Sequence, residues 1–568
     1  MKKILIFTII VAGMFLASCS EDWFTISPKG EASFETLFNK DGVKYLLIGA
    51  YADIDGVMNG GISGSHNQGW ASGVSNWVWG SVRADDAYKG SNYGDQANIN
   101  DIAGHYVTPD NSYVNSHWQY MYDGVVRSNH VLTALAKAAD MTSVEKANAE
   151  AEAKFLRAHF YVELTEVHGK VLWIDENTEN PRIVPNDHLL WPEIEADMQV
   201  AINNLPDVQV DLGRPTKWAA KTYMARIYLL QQKYTQAMPL LQDVYDNGPF
   251  SLVSEFNHNF LIEYVNNSES IFEIQFSVNS GLSAYLANYS DALNACSFKS
   301  ISNFFQPSHC LVSAYRVDAN GLPLEPDPTT YDAGDILTWD KAGLTVPYTL
   351  PVDPRLDWSV ARPGVPDYDW GIPNESWIRN PNNGGPYMFK KSGFLKKEHL
   401  VYSSTSGRPG ANANNFRKFK LGHVILWLAE CEAEIGSLAN ATMLVNEIRN
   451  RAKNTDVVRF GDGTPAANYL IEPYPTDFAS QAEARIAIRH EERLEFAGEG
   501  VRFYDLVRWG VAAQTLNAYL EVEGGVAPSL VDKSFLAGQF EIAPIPLVQI
   551  DLSKDENGLK VLTQNPGY

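Results

Sequence analysis

The sequence predicts a mostly helical fold: a scaffold of paired helices that carries a loop-rich insertion and few short strands. Apolar residues recur at helical spacings through long stretches in both halves of the chain. Several of these stretches come in pairs joined by short turns, and alanines on their inner faces let two helices approach closely. The central residues 251–420 differ, since they combine short strand-like pieces with many Pro and Gly residues.

The predicted helices follow from apolar periodicity and from the breaks between periodic stretches. They span Glu31–Met58, Val114–Ala139, Ser143–His168, Trp191–Asn204, Lys217–Gln232, Tyr234–Asn247, Leu421–Gly436, Leu438–Lys453, Ser480–Ala497 and Val501–Val522. The pairs Lys217–Gln232 with Tyr234–Asn247 and Leu421–Gly436 with Leu438–Lys453 have tetratricopeptide-like character. Such units cannot bury their apolar faces alone, so we expect them to stack. A short strand is predicted at Glu269–Phe276.

The first nineteen residues predict export and lipidation. Lys2 and Lys3 precede an apolar run, Ile4–Leu16, that is too short to span a bilayer. Two small residues then precede Cys19, an order typical of a lipoprotein signal, in which Cys19 takes a diacylglyceryl group and its new amino terminus is acylated, for example by palmitate. The alternative is an ordinary signal peptide in which Cys19 is coincidental.

We therefore expect residues 1–18 to be a signal peptide that is removed, and residues 19–30 to be a lipidated tether. Residues 31–250 and 251–568 are expected to form the N-terminal and C-terminal regions of one compact body. After Cys19 no apolar run approaches 18 residues, so no further membrane-spanning segment is predicted.

The charge balance excludes some partners. The formal net charge is −23, and it becomes −25 once Lys2 and Lys3 are removed with the signal. A chain this acidic does not bind nucleic acid non-specifically, and it does not bind an anionic lipid surface through basic residues. We therefore predict no nucleic-acid partner, and membrane attachment through the N-terminal lipid alone.

No catalytic signature is present, because the sequence lacks GxSxG, HExxH, Walker and Rossmann motifs. It also lacks a CxxC motif, a Cys/His cluster and EF-hand spacing, so we predict no cofactor and no metal site. Asp-rich stretches leave a structural Ca²⁺ open as an alternative. The charged run Arg489–Arg493 resembles an active site at first, but its helical spacing favours ion pairs. His159 and His168 are interpreted as surface or packing residues.

The remaining cysteines are few. Cys296 and Cys310 are 14 residues apart and could pair in an oxidising compartment, but we favour free, partly buried thiols. Cys431 lies on a predicted helix and is interpreted as core packing.

Aromatic residues are abundant, at 12% of the chain, and many stand among polar residues in loop-like surroundings. Indole and phenol rings can stack on the apolar face of a sugar, while Asp, Asn and Arg can bind its hydroxyl groups. The alternative is that these rings fill the core. The predicted ligand-binding residues are Trp77, Trp79, Asp85, Tyr285, Trp339, Trp358, Trp370 and Trp377.

Five sequence blocks follow one another along nearly the whole chain: Ala151–Ala158, Gly213–Ala220 with Ala225–Leu229, Leu426–Ala433, Glu492–Gly500 with Arg502–Gly510, and Pro544–Pro546 with the terminal Gln564–Tyr568. In this order they resemble the SusD/RagB family of Bacteroidota outer-membrane lipoproteins. The third departs from the family pattern, since it lacks an Arg and has Trp427 in place of the usual residue. In the fourth, Gly498 and Gly500 bracket a turn between helices, so the block is interpreted as structural.

The resemblance implies a mostly helical protein with four tetratricopeptide-like units and a looped ligand face. Family members lie on the cell surface over a SusC-like TonB-dependent transporter and pass captured glycan fragments, or in some branches peptides, to it. The acidic Ser20–Asp22 run resembles the surface-export signal of such lipoproteins. The ligand aromatics of the family fall in zones that correspond here to Trp70–Tyr93 and Ala284–Tyr387.

The sequence thus favours a non-enzymatic, surface-exposed oligosaccharide-binding lipoprotein that works with a transporter. Three alternatives stay open: a peptide-capture lid of the RagB type, a surface glycan-degrading enzyme, and a scaffold whose helical units only dock the barrel. An enzyme would need two carboxyl groups facing each other across the scissile bond, a geometry that sequence does not reveal.

Overall fold

The computed structural model describes residues 33–56, 69–278, 286–294, 303–324, 327, 348–391, 393–403 and 410–568. The helices in this part are α1 (Lys40–Asp53), α2 (Asn98–Ala103), α3 (Ser112–Lys137), α4 (Ser143–His168), α5 (Trp191–Asn204), α6 (Lys217–Leu230), α7 (Tyr234–Asn247), α8 (His309–Ala314), α9 (Arg355–Ser359), α10 (Pro381–Gly384), α11 (Leu421–Ile435), α12 (Leu438–Asn454), α13 (Gln481–Glu495), α14 (Arg502–Arg508), α15 (Ala512–Glu523) and α16 (Leu547–Leu552). The strands are β1 (Ala87–Gly90), β2 (Ser270–Ile274), β3 (Phe304–Pro307), β4 (Val360–Ala361), β5 (Met388–Phe389) and β6 (Phe416–Lys420).

The long helices form one continuous stack. Helix α1 packs on α3, α3 on α4, α4 on α5, α5 on α6 and α6 on α7, and α7 then packs on α11, which also contacts α12 and α13. The α3–α4 contact is close, because the ring of Phe160 lies 2.3 Å from the point where a Cβ on Gly124 would be. The stack confirms the predicted mostly helical fold of paired helices with few short strands.

Local capping explains where these helices begin and end. Helix α4 begins after Thr142, whose hydroxyl and Glu145 form a capping box, and it ends before Gly169, as predicted. Helix α1 begins later than predicted, because the Asn39 side chain accepts from the Gly42 N–H and caps a helix that starts at Lys40. The predicted ends at residues 31 and 58 lie outside the described residues.

One predicted helix is two. The stretch Val501–Val522 divides into α14 and α15, because Gly510 between them has a φ of +70° and leaves the helical conformation. Gly498 and Gly500 have φ values of +74° and +76°, as the turn predicted at these residues requires.

The strands are short and antiparallel, in the pairs β1–β3, β2–β6 and β4–β5. The predicted strand at Glu269–Phe276 corresponds to β2. A second hydrophobic core, separate from that of the stack, surrounds a π-helical turn at Trp77–Val82 and includes side chains of β3, α14 and α15.

The two backbone segments nearest that turn are in contact. A Cβ on Gly80 would lie 1.8 Å from the Gly500 carbonyl oxygen, and a Cβ on Gly500 would lie 1.9 Å from the Ser75 carbonyl oxygen. Only glycine allows this approach, which fixes residues 75–80 against the turn before α14. None of the helices described is long and apolar enough to span a bilayer.

Candidate functional site

Trp77 and Trp79 lie in the second core rather than on a ligand surface. Their side chains are 0% and 1% exposed. The Trp77 ring packs against Phe304 and Phe305, and the Trp79 indole N–H donates to the Ala71 carbonyl at 2.9 Å. A ring with no exposed face cannot stack on a sugar, so the predicted ligand contact does not fit these two positions.

Asp85 is also buried, and it holds two arginines. Its carboxylate accepts a bidentate pair from Arg502 at 2.8 and 3.0 Å and an ion pair from Arg493 at 3.0 Å. Burial alone would raise the pKa of Asp85, but the two guanidinium groups outweigh it and lower the pKa to about 2. Asp85 therefore does not fit the predicted ligand role; its ion pairs hold the residues just before β1 against α13 and α14.

The other charged and thiol groups that the sequence singled out are structural as well. The run Arg489–Arg493 forms ion pairs as predicted, for example Glu491 with Arg355 at 2.6 Å. His159 and His168 are buried, and burial lowers the pKa of each to about 3. Cys310 and Cys431 are buried free thiols, whereas Cys296 lies outside the described residues.

Three predicted tryptophans are partly exposed. The indole N–H of Trp358 donates to the Asp456 carbonyl and that of Trp370 to the Phe394 carbonyl, each at 2.8 Å. Trp377 packs against a small apolar cluster that contains Met388. The described contacts place the three rings in separate clusters and do not bring them together. Tyr285, Trp339 and Cys19 lie outside the described residues.

Three distant parts of the chain meet at a different place. The Trp70 and Tyr289 rings are stacked, with centroids 5.5 Å apart and planes 6° apart. The Val74 backbone N–H donates to the Ser290 hydroxyl oxygen at 3.0 Å, and the Ser290 hydroxyl donates to the Asp55 carbonyl at 2.8 Å. These bonds hold Asp55 and Val74 against Ser290, which lies more than 200 positions later in the chain.

The third part joins through Asn288. Its backbone N–H donates to the Asn412 carbonyl at 2.8 Å, and Asn412 also bridges to Ser403. Beneath it, the Asp291 carboxyl accepts from the Ser75 hydroxyl at 2.7 Å and from the Asn288 amide at 3.1 Å. Burial raises the pKa of Asp291 above its ordinary value.

We call this meeting place the loop junction and define it by its described residues. They are Trp70–Ser75, Leu286–Asp291, Tyr402, Ser403 and Asn412.

The loop junction presents aromatic and apolar surface above its hydrogen-bonded floor. Tyr402 is 44% exposed, Leu286 is exposed, and Tyr289 is half-buried with one face on Trp70. The floor groups are buried and hydrogen-bonded, so they hold the rings in place. The exposed aromatic surface can stack on a flat apolar ligand face.

The loop junction was not predicted residue by residue. Trp70 and Tyr289 fall within the two zones that the family resemblance indicated, but their pairing joins residues 219 positions apart. Sequence periodicity reports local structure, so it gives no sign of such a contact.

The internal cavities are less suitable. Two buried cavities, lined in part by Phe416, Arg417 and Glu499, have volumes of ≈ 30 and ≈ 40 Å³, which accommodates water but not a sugar ring. An open groove of ≈ 480 Å³ lies between α3 and α16. Its lining mixes aliphatic and polar side chains, and its two aromatic residues, Trp118 and Tyr122, are only 4% and 8% exposed, so it offers little aromatic surface for stacking. Within the described ranges, no cluster of three or more His, Cys, Asp or Glu side chains could hold a metal ion.

Comparison with known proteins places the chain in a family. A profile of the SusD family matches residues 268–568, and a second profile, described as starch-binding and associating with the outer membrane, matches residues 72–229. The chain belongs to the SusD family. This agrees with the resemblance of the sequence blocks.

Curated relatives of this SusD-family protein are distant. A SusD-like protein of Bacteroides ovatus is 25% identical over 287 residues, which cover 47% of the chain and 49% of the relative. The chain thus spans about half the length of that relative. SusD-like protein P2 of Formosa agariphila is 24% identical over 476 residues, or 81% of each chain.

Solved structures share the fold over nearly the whole chain. A laminarin-binding SusD-like protein is 23% identical with a TM-score of 0.63, covering 93% of this chain and 100% of its own. Surface glycan-binding protein A from Bacteroides thetaiotaomicron, in complex with laminarihexaose, is 20% identical with a TM-score of 0.64, covering 93% and 99%. At these identities the likeness shows the common fold.

Proposed function

We propose that this SusD-family protein is an outer-membrane lipoprotein that binds oligosaccharides at the loop junction and delivers them to a SusC-like TonB-dependent transporter. The observation that carries the proposal is the stacked pair Trp70–Tyr289. The backbone bonds of Asn288 to Asn412 and of Ala413 to Tyr402 join this pair to the segment that carries the exposed Tyr402. The lipid on Cys19 would hold the protein on the outer face of the membrane.

The chemistry of the loop junction suits a sugar. The C–H face of a pyranose ring packs on an aromatic ring, and the hydroxyl groups at its edge need donors and acceptors. The contact with Trp70 fixes the Tyr289 ring when the protein folds. Ligand binding therefore does not have to order this ring, and little conformational entropy is lost there on binding. The buried side chains of Asn288 and Ser403 are hydrogen-bonded within the protein, and they hold the backbone of the junction in place.

The known proteins support the same proposal. The profile that matches residues 72–229 is described as starch-binding and associating with the outer membrane. One similar solved structure is a laminarin-binding SusD-like protein, and another is a surface glycan-binding protein in complex with laminarihexaose. A glycosidase is disfavoured, because its mechanism needs two carboxyl groups roughly 5–9.5 Å apart. Asp291 is the one carboxyl group among the described residues of the loop junction, and it is buried.

Glycan binding is tested by titration calorimetry on the soluble chain that begins at Ser20. Tyr289→Ala and Tyr402→Ala should each weaken glycan binding by roughly 2- to 10-fold, since an aromatic contact of this kind contributes about 0.5–1.5 kcal/mol. Tyr45→Ala is the matched control, because Tyr45 is 64% exposed but lies on α1. Equal affinities for all three variants would contradict the assignment of the site.

The same titration should include peptides. Binding of peptides alone would favour a peptide-capture lid of the RagB type over glycan capture. Anchoring and delivery need cells: Cys19→Ala should release the protein from the outer-membrane fraction, and the wild-type chain should co-purify with a TonB-dependent barrel. Failure to co-purify with any barrel would contradict delivery while leaving glycan binding intact.

A further inference from the structure

An exposed histidine beside the loop junction has the same construction as Tyr289. The His399 ring is exposed, and it lies nearly parallel to the buried Phe394 ring, with centroids 5.9 Å apart and planes 9° apart. The Trp370 ring meets it edge-on, also with centroids 5.9 Å apart. Tyr289 is likewise an accessible ring that stacks on a buried one, Trp70. In both places a buried aromatic ring supports a ring that solvent reaches.

A short antiparallel ladder places the two accessible rings on neighbouring stretches of backbone. Isolated bridges pair Asn412 with Asn288 on one side and with Ser403 on the other. Because neighbouring extended segments lie about 4.8 Å apart, the backbones of residues 288 and 403 are roughly 10 Å apart. Tyr289 directly follows the first of these residues, and the His399 Nδ1 lies 3.2 Å from the Ser403 Oγ, within hydrogen-bond distance. The two rings therefore belong to one continuous part of the molecule.

The turn that carries the exposed histidine is held in a conformation that a side chain disfavours. Leu400 has a φ of +67°, in the left-handed region. Its N–H donates to the Ser403 hydroxyl oxygen at 3.1 Å, and the Tyr402 N–H donates to the Glu398 carbonyl at 2.8 Å, so hydrogen bonds fix the turn. Residues 400–402 are all large, hydrophobic and exposed. Strained residues persist where the surrounding structure fixes them, and they cluster at ligand-binding sites.

We propose that the His399 ring is a second stacking platform for the glycan, so that the protein recognises a chain of sugars that lies across both Tyr289 and His399. This rests on the proposed glycan-binding function and names the form of the ligand, an extended chain bound along its length. The C–H face of one sugar packs on each ring. The His399 Nε2 has no hydrogen-bond partner among the described residues, so it is available to a sugar hydroxyl, unlike the buried amides of the loop junction.

Calorimetry on the soluble chain that begins at Ser20 tests the proposal with linear oligosaccharides of increasing length. The probes are the laminari-, malto-, cello-, manno- and xylo-oligosaccharide series, each from the disaccharide to the octasaccharide. In a series that binds, we expect the affinity to rise by roughly 2- to 10-fold once a chain covers both rings, since that is the contribution of one further aromatic contact. An affinity that is the same at every length would overturn the proposal.

Two variants of His399 separate stacking from a structural role. His399→Ala and His399→Phe both lose the hydrogen bond to Ser403, but only the second keeps an aromatic ring. His399→Ala should reduce the gain with chain length to less than about twofold, whereas His399→Phe should retain the wild-type gain. The matched control is His188→Ala, because His188 is also exposed but pairs with Glu193 at the start of α5, and this variant should retain the gain as well.

The outcomes that contradict the proposal differ in what they refute. A full gain in His399→Ala, or an equal loss of the gain in the two His399 variants, would overturn the second platform and leave glycan binding intact. Binding of peptides alone, with no oligosaccharide bound, would refute the glycan-binding function as well.

Discussion

Replacement of Gly500 by Ala should destabilise the protein well beyond an ordinary glycine substitution. Gly500 has a φ of +76°, and a Cβ at this position would lie 1.9 Å from the Ser75 carbonyl oxygen. The backbone must therefore move by more than an ångström, or the contact between the turn before α14 and residues 75–80 must open. We expect the fold to survive with this contact loosened.

The magnitude follows from two separate costs. The left-handed conformation costs a residue with a Cβ about 1–2 kcal/mol, and overpacking of a tight site costs about 1–3 kcal/mol more. The sum is about 2–5 kcal/mol of unfolding free energy. Gly510→Ala is the matched control, because Gly510 has a φ of +70° but nothing within 4 Å of its Cβ position. The unfolding free energy of Gly510→Ala should fall by the conformational cost alone, about 1–2 kcal/mol.

The assay is urea unfolding of the soluble chain, followed by tryptophan fluorescence, with the midpoints of both variants compared at one pH. Trp77 and Trp79 lie next to the altered contact, so the signal reports on the affected core. The midpoint of Gly500→Ala should fall clearly further than that of Gly510→Ala. Equal shifts would show that the close approach does not constrain the native state, and the reasoning from Cβ distances would be wrong.

Three further changes test the buried polar groups. Asp85→Asn should cost about 3–5 kcal/mol of stability, because it leaves Arg502 buried without its carboxylate partner; urea midpoints measure it. Burial raises the pKa of Asp53 to about 9 despite Arg127 nearby. The folded state therefore holds a proton that the unfolded state has lost, so wild-type stability should fall as the pH rises from about 4 to 9, and Asp53→Asn should remove this part of the slope. Burial raises the pKa of the Cys310 thiol to about 12. In a Cys296→Ser/Cys431→Ala background without Cys19, where Cys310 is the one thiol left, it should therefore not react with a disulfide reagent at pH 8 until urea unfolds the chain.

Each of these changes has a control or a contradicting result. Asp551→Asn breaks an exposed pair with Lys560 and should leave the urea midpoint unchanged, in contrast to Asp85→Asn. A variant Asp53→Asn whose stability still falls with pH as steeply as wild type would show that other groups cause the slope. Rapid thiol labelling under native conditions would show that the core around Cys310 opens readily.

The sequence predicted the helical stack because its signals are local. Periodic apolar residues, the Thr142–Glu145 capping box and Gly169 define α4 within a few residues of each end. The α14–α15 break was missed, because a glycine within a periodic stretch is compatible with a continuous helix until its positive φ is seen. The long stretch before α1 was taken as helical because Phe34 and Leu37 have helical spacing, but they form a separate short turn.

The binding site could be predicted only as a zone. Trp77 and Trp79 looked like loop residues because small and polar residues surround them in sequence, yet they pack under β3 and against the segment that contains Ala71. Asp85 looked like a polar ligand group, but its partners lie more than 400 positions away. Long-range pairings of this kind decide whether a polar or aromatic residue faces solvent, and they leave no local pattern.

The loop junction also has a consequence for the biogenesis of the protein. Its parts come from positions 70–75 and 286–291 and from Tyr402, Ser403 and Asn412, and the bonds between the first two parts already span 216 residues. No fragment or partly folded chain can assemble this surface, so affinity for a ligand arises only when the last of these segments has been placed. Ligand binding is therefore expected only in chains that have folded completely. The number of binding sites per chain, measured by ligand titration, would give the correctly folded fraction of a preparation of exported protein.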